Sequence, residues 1–372
     1  MIKVMLAMCA LGQLVNGLLG DRYGAKRLIL AGMIGSAVVN LLFGFSSSFV
    51  VLLVLWGLNG YFVSVGWPLC VKTMANWFRS EERGRVMGMF GTCYMLGHVI
   101  SWLLAALVVR YTGWRGAFYI PPIFLLAAAA HFWLRVRETP REAGLEGSEF
   151  PAERPPERAG LLRILRDTME KREIWIIAVT SLLIGFVRWG FINWGITYIV
   201  ETSESAIGGA TIKMAFFPLL GCAGAIAAGH VSDTVFGARR GPVAVIGLSA
   251  LALCILIFRM VPVHQGVLLA AVTAVIGFAI YGTESLLAGA AAQDHAAANN
   301  VSSATGFIDS FSYTGAVFSG FGTGMLIDTF GWNAAIYSWM VAAALGAFAA
   351  SFLDRGRNGA VPAPRPNGAE PV

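Results

Sequence analysis

The stretch from Gly17 to Arg27 (GLLGDRYGAKR) returns 212 positions later, from Gly229 to Arg240 (GHVSDTVFGARR). Each copy lies between two apolar stretches long enough to cross a bilayer, so the repeated unit is a helix, a charged turn and a second helix. A second echo runs in the same order. Residues 111–119 (YTGWRGAFY) return 218 positions later as residues 329–337 (TFGWNAAIY). Two parallel copies with one internal order predict an all-α integral membrane protein made of two pseudo-symmetric helix bundles.

Composition supports lipid as the solvent. The chain is 57% hydrophobic and 13% charged, with a mean hydropathy of +0.68, well outside the usual soluble range. The net charge of +6 does not point to nucleic acid, because the basic residues occupy short turns between apolar spans. Runs of roughly 20 apolar residues place spans at 2–20, 28–47, 49–75, 86–110, 116–134, 174–200, 207–230, 242–261, 265–289, 302–327 and 333–353. If the turn after the first span is cytoplasmic, twenty Lys and Arg fall in cytoplasmic segments, against Arg110, Arg115 and Arg259 on the other side. The positive-inside rule then sets the orientation. The chain is expected to be a multi-pass inner-membrane protein, with its linker and C-terminus cytoplasmic.

The spans number eleven, five before the linker and six after it. The first charged turn follows one span and the second follows two, so the counterpart of 174–200 is expected to be the one missing at the N-terminus. A start assigned too late or a true loss both explain this. Residues 2–20 lack the small-residue cleavage site of a signal peptide. The divisions are a bundle at 1–134, a linker at 135–172, a bundle at 173–354 and a disordered tail at 355–372. The linker is mixed in charge, proline-rich from Pro151 to Pro156, and helical near Leu161 to Lys171. Cys9, Cys70, Cys93, Cys222 and Cys254 are scattered through spans and histidines do not cluster, so no disulfide framework, metal or cofactor is expected.

Charged side chains inside the hydrocarbon are costly and are functional candidates by default. These are Arg188, Lys213, Glu284 and Asp309, with Lys72 and His98 behind them. Arg188 lies about midway along its span, with Gly185 and Gly195 on its face. Its guanidinium suits phosphate or carboxylate oxygens; an internal pair with Glu284 or Asp309 is the alternative. Gly91, Tyr94, His98 and Ser101 form one helical stripe, and the 218-residue shift maps it onto Asp309, Ser312, Ala316 and Ser319. Cavity lining and a small-residue packing seam are the two readings of that stripe. Glu284 and Asp309 serve either coupling or charge balance.

The repeated turn has a mechanical reading. Gly17 and Gly24 allow close approach and a tight turn. Asp21 is placed to cap a neighbouring helix, expected to be 302–327, and Asp233 by symmetry meets 86–110. Arg22, Lys26 and Arg27 face the anionic leaflet, and Arg239 and Arg240 belong with Asp233 to the second copy of this gating motif. The alternative is an ordinary solvated turn.

Residues 17–27 resemble the signature of the major facilitator superfamily, and the resemblance spans essentially the whole chain. A narrower likeness is to the organophosphate:inorganic phosphate antiporters, which include glycerol-3-phosphate and hexose-6-phosphate transporters. It rests on Gly66-Trp67-Pro68, Trp77 with Glu82-Arg83-Gly84, Arg188 through Asn193-Trp194 to Tyr198, Ile276 to Gly282, Thr305-Gly306-Phe307 and Gly331-Trp332. The resemblance puts Arg188 at that family's second-half phosphate-binding arginine. Gln13 stands where the family often has a lysine, and Tyr94 where the glycerol-phosphate members have a histidine. The first-half arginine belongs to the missing helix, which admits a carboxylate as well as a phosphate ester, with Lys213 supplying further positive charge.

The resemblance thus implies a secondary transporter, not an enzyme, that moves a small organic anion by alternating access. Arg188 would bind the anion, while Gln13, Tyr94, Trp194 and Tyr198 line the cavity. It implies a monomer in the lipid bilayer, with no nucleic-acid partner. A sugar-phosphate sensor with little transport, and a truncated inactive transporter, are the other readings.

Overall fold

The structure is a computed structural model that describes residues 1–145, 160–203, 207–262, 265–297 and 299–354. Among these residues the regular structure is helical. The helices are α1 (Ile2–Tyr23), α2 (Ala25–Phe45), α3 (Phe49–Val63), α4 (Gly66–Trp77), α5 (Arg83–Thr112), α6 (Gly116–Arg135), α7 (Leu161–Met169), α8 (Arg172–Ser203), α9 (Ile207–Thr234), α10 (Arg240–Met260), α11 (Gly266–Ser285), α12 (Ala292–His295), α13 (Val301–Phe330) and α14 (Trp332–Ala350). Ten spans among the described residues are long and apolar enough to cross a membrane. The remaining one of the eleven expected, α13, has 30 residues but carries more serine, threonine and glycine. Large apolar side chains such as Phe45, Val50, Leu103, Val267 and Phe348 are exposed, a surface that only lipid accommodates at this extent. The linker's Pro151–Pro156 segment and the tail from 355 lie outside the described residues.

Two expected spans differ in detail. The span at 49–75 is interrupted after Val63, because Pro68 cannot donate to the Ser64 carbonyl and so breaks the ladder. The amide of Asn16 reaches into the break, donating to Ser64 Oγ at 2.8 Å and to the Tyr61 carbonyl at 3.3 Å. The span at 265–289 runs on to His295 through a π-helical stretch at Leu286–Ala291. Its Ala288 carbonyl accepts the indole N–H of Trp67 at 3.1 Å. Such bulges widen a helix and leave carbonyls to be satisfied from outside the ladder.

The helices form two bundles, α1–α6 and α8–α14. They meet along two symmetry-related seams, where α1 packs on α13 and α5 packs on α9. Glycine makes the closeness possible. A methyl group on Gly17 would lie 2.7 Å from the Ser302 carbonyl oxygen and 3.1 Å from Gly306 Cα; one on Gly84 would lie 2.7 Å from the Gly229 carbonyl oxygen. Between the bundles, α7 lies against α1, α8 and α13 with Ile164 buried beneath it.

Candidate functional site

Arg188 sits in the middle of α8, and its side chain is only 5% exposed. Gly185, one turn earlier, lets the Ser312 backbone of α13 come close. Arg188 Nη1 donates to Glu284 Oε2 at 2.9 Å and to the Tyr94 hydroxyl at 3.2 Å. The guanidinium lies 5.8 Å from the Tyr94 ring centre and 5.5 Å from that of Trp189. Its Nε is buried without a partner among the described residues. Ser312 Oγ donates weakly to the other oxygen of Glu284, at 3.5 Å. Both alternatives read from the sequence are therefore present together, an internal ion pair and an adjoining void.

The void is a cavity where α1, α4, α5, α8, α11 and α13 converge. Gln13, Trp67, Tyr94, Tyr281, Asp309 and Tyr313 line it around the Arg188–Glu284 pair. Asp309 is 7% exposed and its carboxylate makes no ion pair or hydrogen bond among the described residues. Gln13 Oε1 is likewise buried and unpartnered. A single cation, one of its own N–H groups unpartnered, thus faces two carboxylates, an unsatisfied amide oxygen and a wall of aromatic hydroxyl and indole groups. That arrangement suits a small anion with hydroxyl groups of its own, because aromatic walls with few polar anchors orient such solutes.

The basic end of the molecule is tied shut by two junctions. Asp21 accepts from the backbone N–H of Ser302 at 3.2 Å, from that of Ser303 at 2.7 Å and from Ser303 Oγ at 2.6 Å, all at the start of α13. Lys72 of α4 pairs with it at 3.3 Å. At the other seam Asp233 accepts from the Arg85 N–H at 2.6 Å, at the start of α5, and pairs with Arg240. Arg240 is fully buried; its Nε reaches Asp294 at 3.0 Å and its Nη2 the Ser80 carbonyl at 2.9 Å. Asp294 also holds Arg83 at 3.1 Å. Anionic side chains satisfying the free N–H groups of a helix start gain both hydrogen bonds and a favourable dipole.

Residues 4–320 and 214–372 match the sequence family described as Major Facilitator Superfamily. The chain belongs to the major facilitator superfamily. It is 30% identical over 348 residues to a probable hexose phosphate transport protein of Chlamydia pneumoniae, covering 87% of this chain and 75% of that one. It is 29% identical over 343 residues to the membrane sensor protein UhpC of Escherichia coli, covering 90% and 78%. The superfamily fold is equally plain in the human organic anion transporter MFSD10, with a TM-score of 0.75 at 15% identity, covering 94% of this chain and 81% of that one. These relatives are described as transport and sensor proteins, not enzymes.

Within this superfamily frame, the structure brings Gln13, Tyr94, Arg188, Glu284 and Asp309 together. It places the other three candidate binding residues elsewhere. Trp194 is six residues beyond Arg188, about 240° around the helix, and lies against Trp332 and Gly324. Tyr198 is buried in the apolar core against Phe258 and Trp332. Lys213 lies beside Gly266 at the start of α11, away from the cavity lining. His98 backs the site, its ring 4.6 Å from that of Tyr94 and its Nδ1 2.9 Å from the Tyr94 carbonyl. Of the charged-turn residues, Gly24 adopts the positive φ of +90° that a tight turn requires, and Lys26 covers the Trp133 ring at 4.8 Å. Arg22, Arg27 and Arg239 are exposed, whereas Arg240 is buried in the junction.

Sequence reasoning passes over Trp67, Tyr281 and Tyr313 as lining residues. The spacing holds the signal. Tyr281, Glu284 and Ser285 fall at i, i+3 and i+4 on α11, and Tyr313 stands four residues after Asp309 on the same face of α13. It also misses Glu138, which accepts from the N–H groups of Ala25 at 2.9 Å and Lys26 at 3.3 Å, and its counterpart Asp354, which accepts from Gly241 at 2.9 Å. These caps come from segments far away in sequence.

Proposed function

We propose that the chain is a secondary transporter for a small organic anion, a phosphate ester above all, that binds beside Arg188 and crosses by alternating access. The observation that carries this reading is the buried guanidinium with an unpartnered Nε, opening on a cavity between the two bundles. A guanidinium holds phosphate oxygens in a planar fork and keeps its charge at any physiological pH. Tyr94, Tyr281, Tyr313 and Gln13 would meet the hydroxyl-bearing remainder of the solute. The Chlamydia relative, described as a hexose phosphate transport protein, supplies the substrate class.

In this reading the basic end is the cytoplasmic face of an inner membrane, which the asymmetry of Lys and Arg supports, and the protein works as a monomer. Residues 135–172 link the bundles on that face. The junctions at Asp21 and Asp233 close the cavity toward the cytoplasm and break when it opens there. Exchange for inorganic phosphate is one driving force for such a site, and a proton gradient is the other.

The test is counterflow of radiolabelled glucose 6-phosphate in proteoliposomes. Wild type exchanges the label, and Arg188→Lys abolishes exchange while inserting normally. Normal exchange by that variant refutes the assignment. The similarity to a membrane sensor favours a second reading, in which the same cavity binds a sugar phosphate and signals; a pure sensor binds glucose 6-phosphate but gives no counterflow.

A further inference from the structure

The route to Arg188 has a cation of its own. With the basic end tied shut by the Asp21 and Asp233 junctions, a solute reaches the cavity from the opposite end, where α1 begins. Lys3 lies in the first turn of α1, exposed, with its ammonium 5.1 Å from the ring centre of Phe321 on α13. The residue before Phe321 is Gly320, and a methyl group built there would stand 4.0 Å from Lys3 Cε and 4.0 Å from Nδ2 of Asn193 on α8. Side chains from both bundles thus converge on a residue that has no side chain to fill the gap between them. Among the described residues, neither Lys3 nor Asn193 carries an ion pair or hydrogen bond.

We propose that Lys3 and Asn193 form an outer anion station, which holds a phosphate ester at the mouth before it passes inward to Arg188. This rests on the reading of Arg188 as the anion site. An ammonium is a compact point charge with three donors, and it binds phosphate without fixing its orientation, whereas a guanidinium fork fixes it. Loose capture outside followed by oriented binding inside is the order that a solute entering from this end needs. The Asn193 amide adds a neutral donor for a phosphate oxygen or a neighbouring hydroxyl. The Phe321 ring steadies the ammonium without cancelling its charge.

The stretch between the two stations carries donors. Trp189 stands one turn before Asn193 on the same face of α8, with its ring centre 5.5 Å from the Arg188 guanidinium and 6.4 Å from that of Tyr313. Its indole N–H is buried and unpartnered among the described residues. On α13, Tyr313 lines the cavity, and Gly320 lies two turns further on the same face, about 10 Å along the axis. The carboxylates nearest in sequence lie beyond the station. Glu201, bonded to Trp332, and Asp328 are each about 12 Å further along their helices than Asn193 and Gly320.

The test measures counterflow of glucose 6-phosphate in proteoliposomes at ionic strengths of about 10 and 150 mM, where the Debye length is about 30 and 8 Å. The wild-type KM should rise about three- to fivefold between the two, because an exposed charge is screened. Lys3→Gln should raise KM about fivefold at the lower ionic strength, keep the maximum rate within about twofold, and flatten the salt dependence; Lys3→Arg should restore both. A merely structural Lys3 would move the maximum rate and leave the salt dependence in place. Asn193→Ala should raise KM about two- to threefold at either ionic strength. Binding gives a second readout. Arg188→Lys, which exchanges nothing, should still broaden the phosphorus NMR line of glucose 6-phosphate, and adding Lys3→Gln to it should abolish the broadening.

A wild-type KM and salt dependence in Lys3→Gln, or broadening that survives in the Arg188→Lys, Lys3→Gln double variant, overturns the station and leaves Arg188 as the anion site. Absence of both counterflow and line broadening in wild type removes the underlying reading as well. Should Lys3→Gln fail to insert, the Arg188→Lys, Asn193→Ala double variant decides: weaker broadening than in Arg188→Lys alone supports the station, and unchanged broadening overturns it.

Discussion

Replacing Asp21 by asparagine keeps the shape of the side chain and removes its charge at the α1–α13 junction. The carboxylate, 1% exposed, accepts three hydrogen bonds between 2.6 and 3.2 Å and pairs with Lys72. Charge-assisted bonds contribute about 1.5–3 kcal/mol against about 1 kcal/mol for neutral ones. Asparagine keeps one acceptor oxygen and turns an N–H₂ toward a former partner, so the gross loss is roughly 4 kcal/mol. About half is offset because a buried carboxylate no longer has to be desolvated. The net, about 2 kcal/mol, is a factor of about 30 in the closed-to-open ratio. A basic end closed about 99% of the time would then be open in roughly a quarter of molecules. Spin labels at exposed Arg27 and Val235, one on each bundle, report that opening once the five free cysteines are replaced. An unchanged distance distribution in Asp21→Asn, with the variant folded, refutes the assignment of Asp21 as a latch.

Asp294→Asn should be worse for stability than for gating, because it leaves fully buried Arg240 and largely buried Arg83 short of a counter-charge. Breaking a buried pair from one side costs about 3–5 kcal/mol, read as a fall in the thermal unfolding midpoint in detergent. Gly17→Ala puts a methyl group 2.7 Å from a backbone oxygen, so the same spin-label pair should show a larger open fraction; Gly97→Ala, with nothing within 4 Å, should show none. Glu138→Ala removes the cap of α2 and should cost about 1 kcal/mol, seen as about five- to tenfold faster hydrogen exchange confined to the first turn of α2.

Part of the site is legible in the chain's own residues. An arginine at mid-span is expensive wherever it lies, so Arg188 announces itself, and the offset of 218 aligns Asp309 with the Gly91 stripe on α5. Trp194 and Tyr198 are drawn in by nearness in sequence to Arg188, and a helix turning about 100° per residue carries them off its face. Lys213 is a candidate on charge alone, which says nothing of direction. Pro68 carries the signal for the break between α3 and α4, and the glycine and alanine run from 288 to 292 permits the π-helical stretch without requiring it.

Periodicity, hydropathy and an internal repeat are properties of neighbouring residues, and they are enough to settle the helical membrane fold and its two related halves. Which charges meet is left to the tertiary structure. Arg188 meets Glu284 and not Asp309, and Asp294 joins Arg83 to Arg240. Each of those partners is brought in by a different helix, and pairing across helices depends on rotation and crossing that no local pattern records.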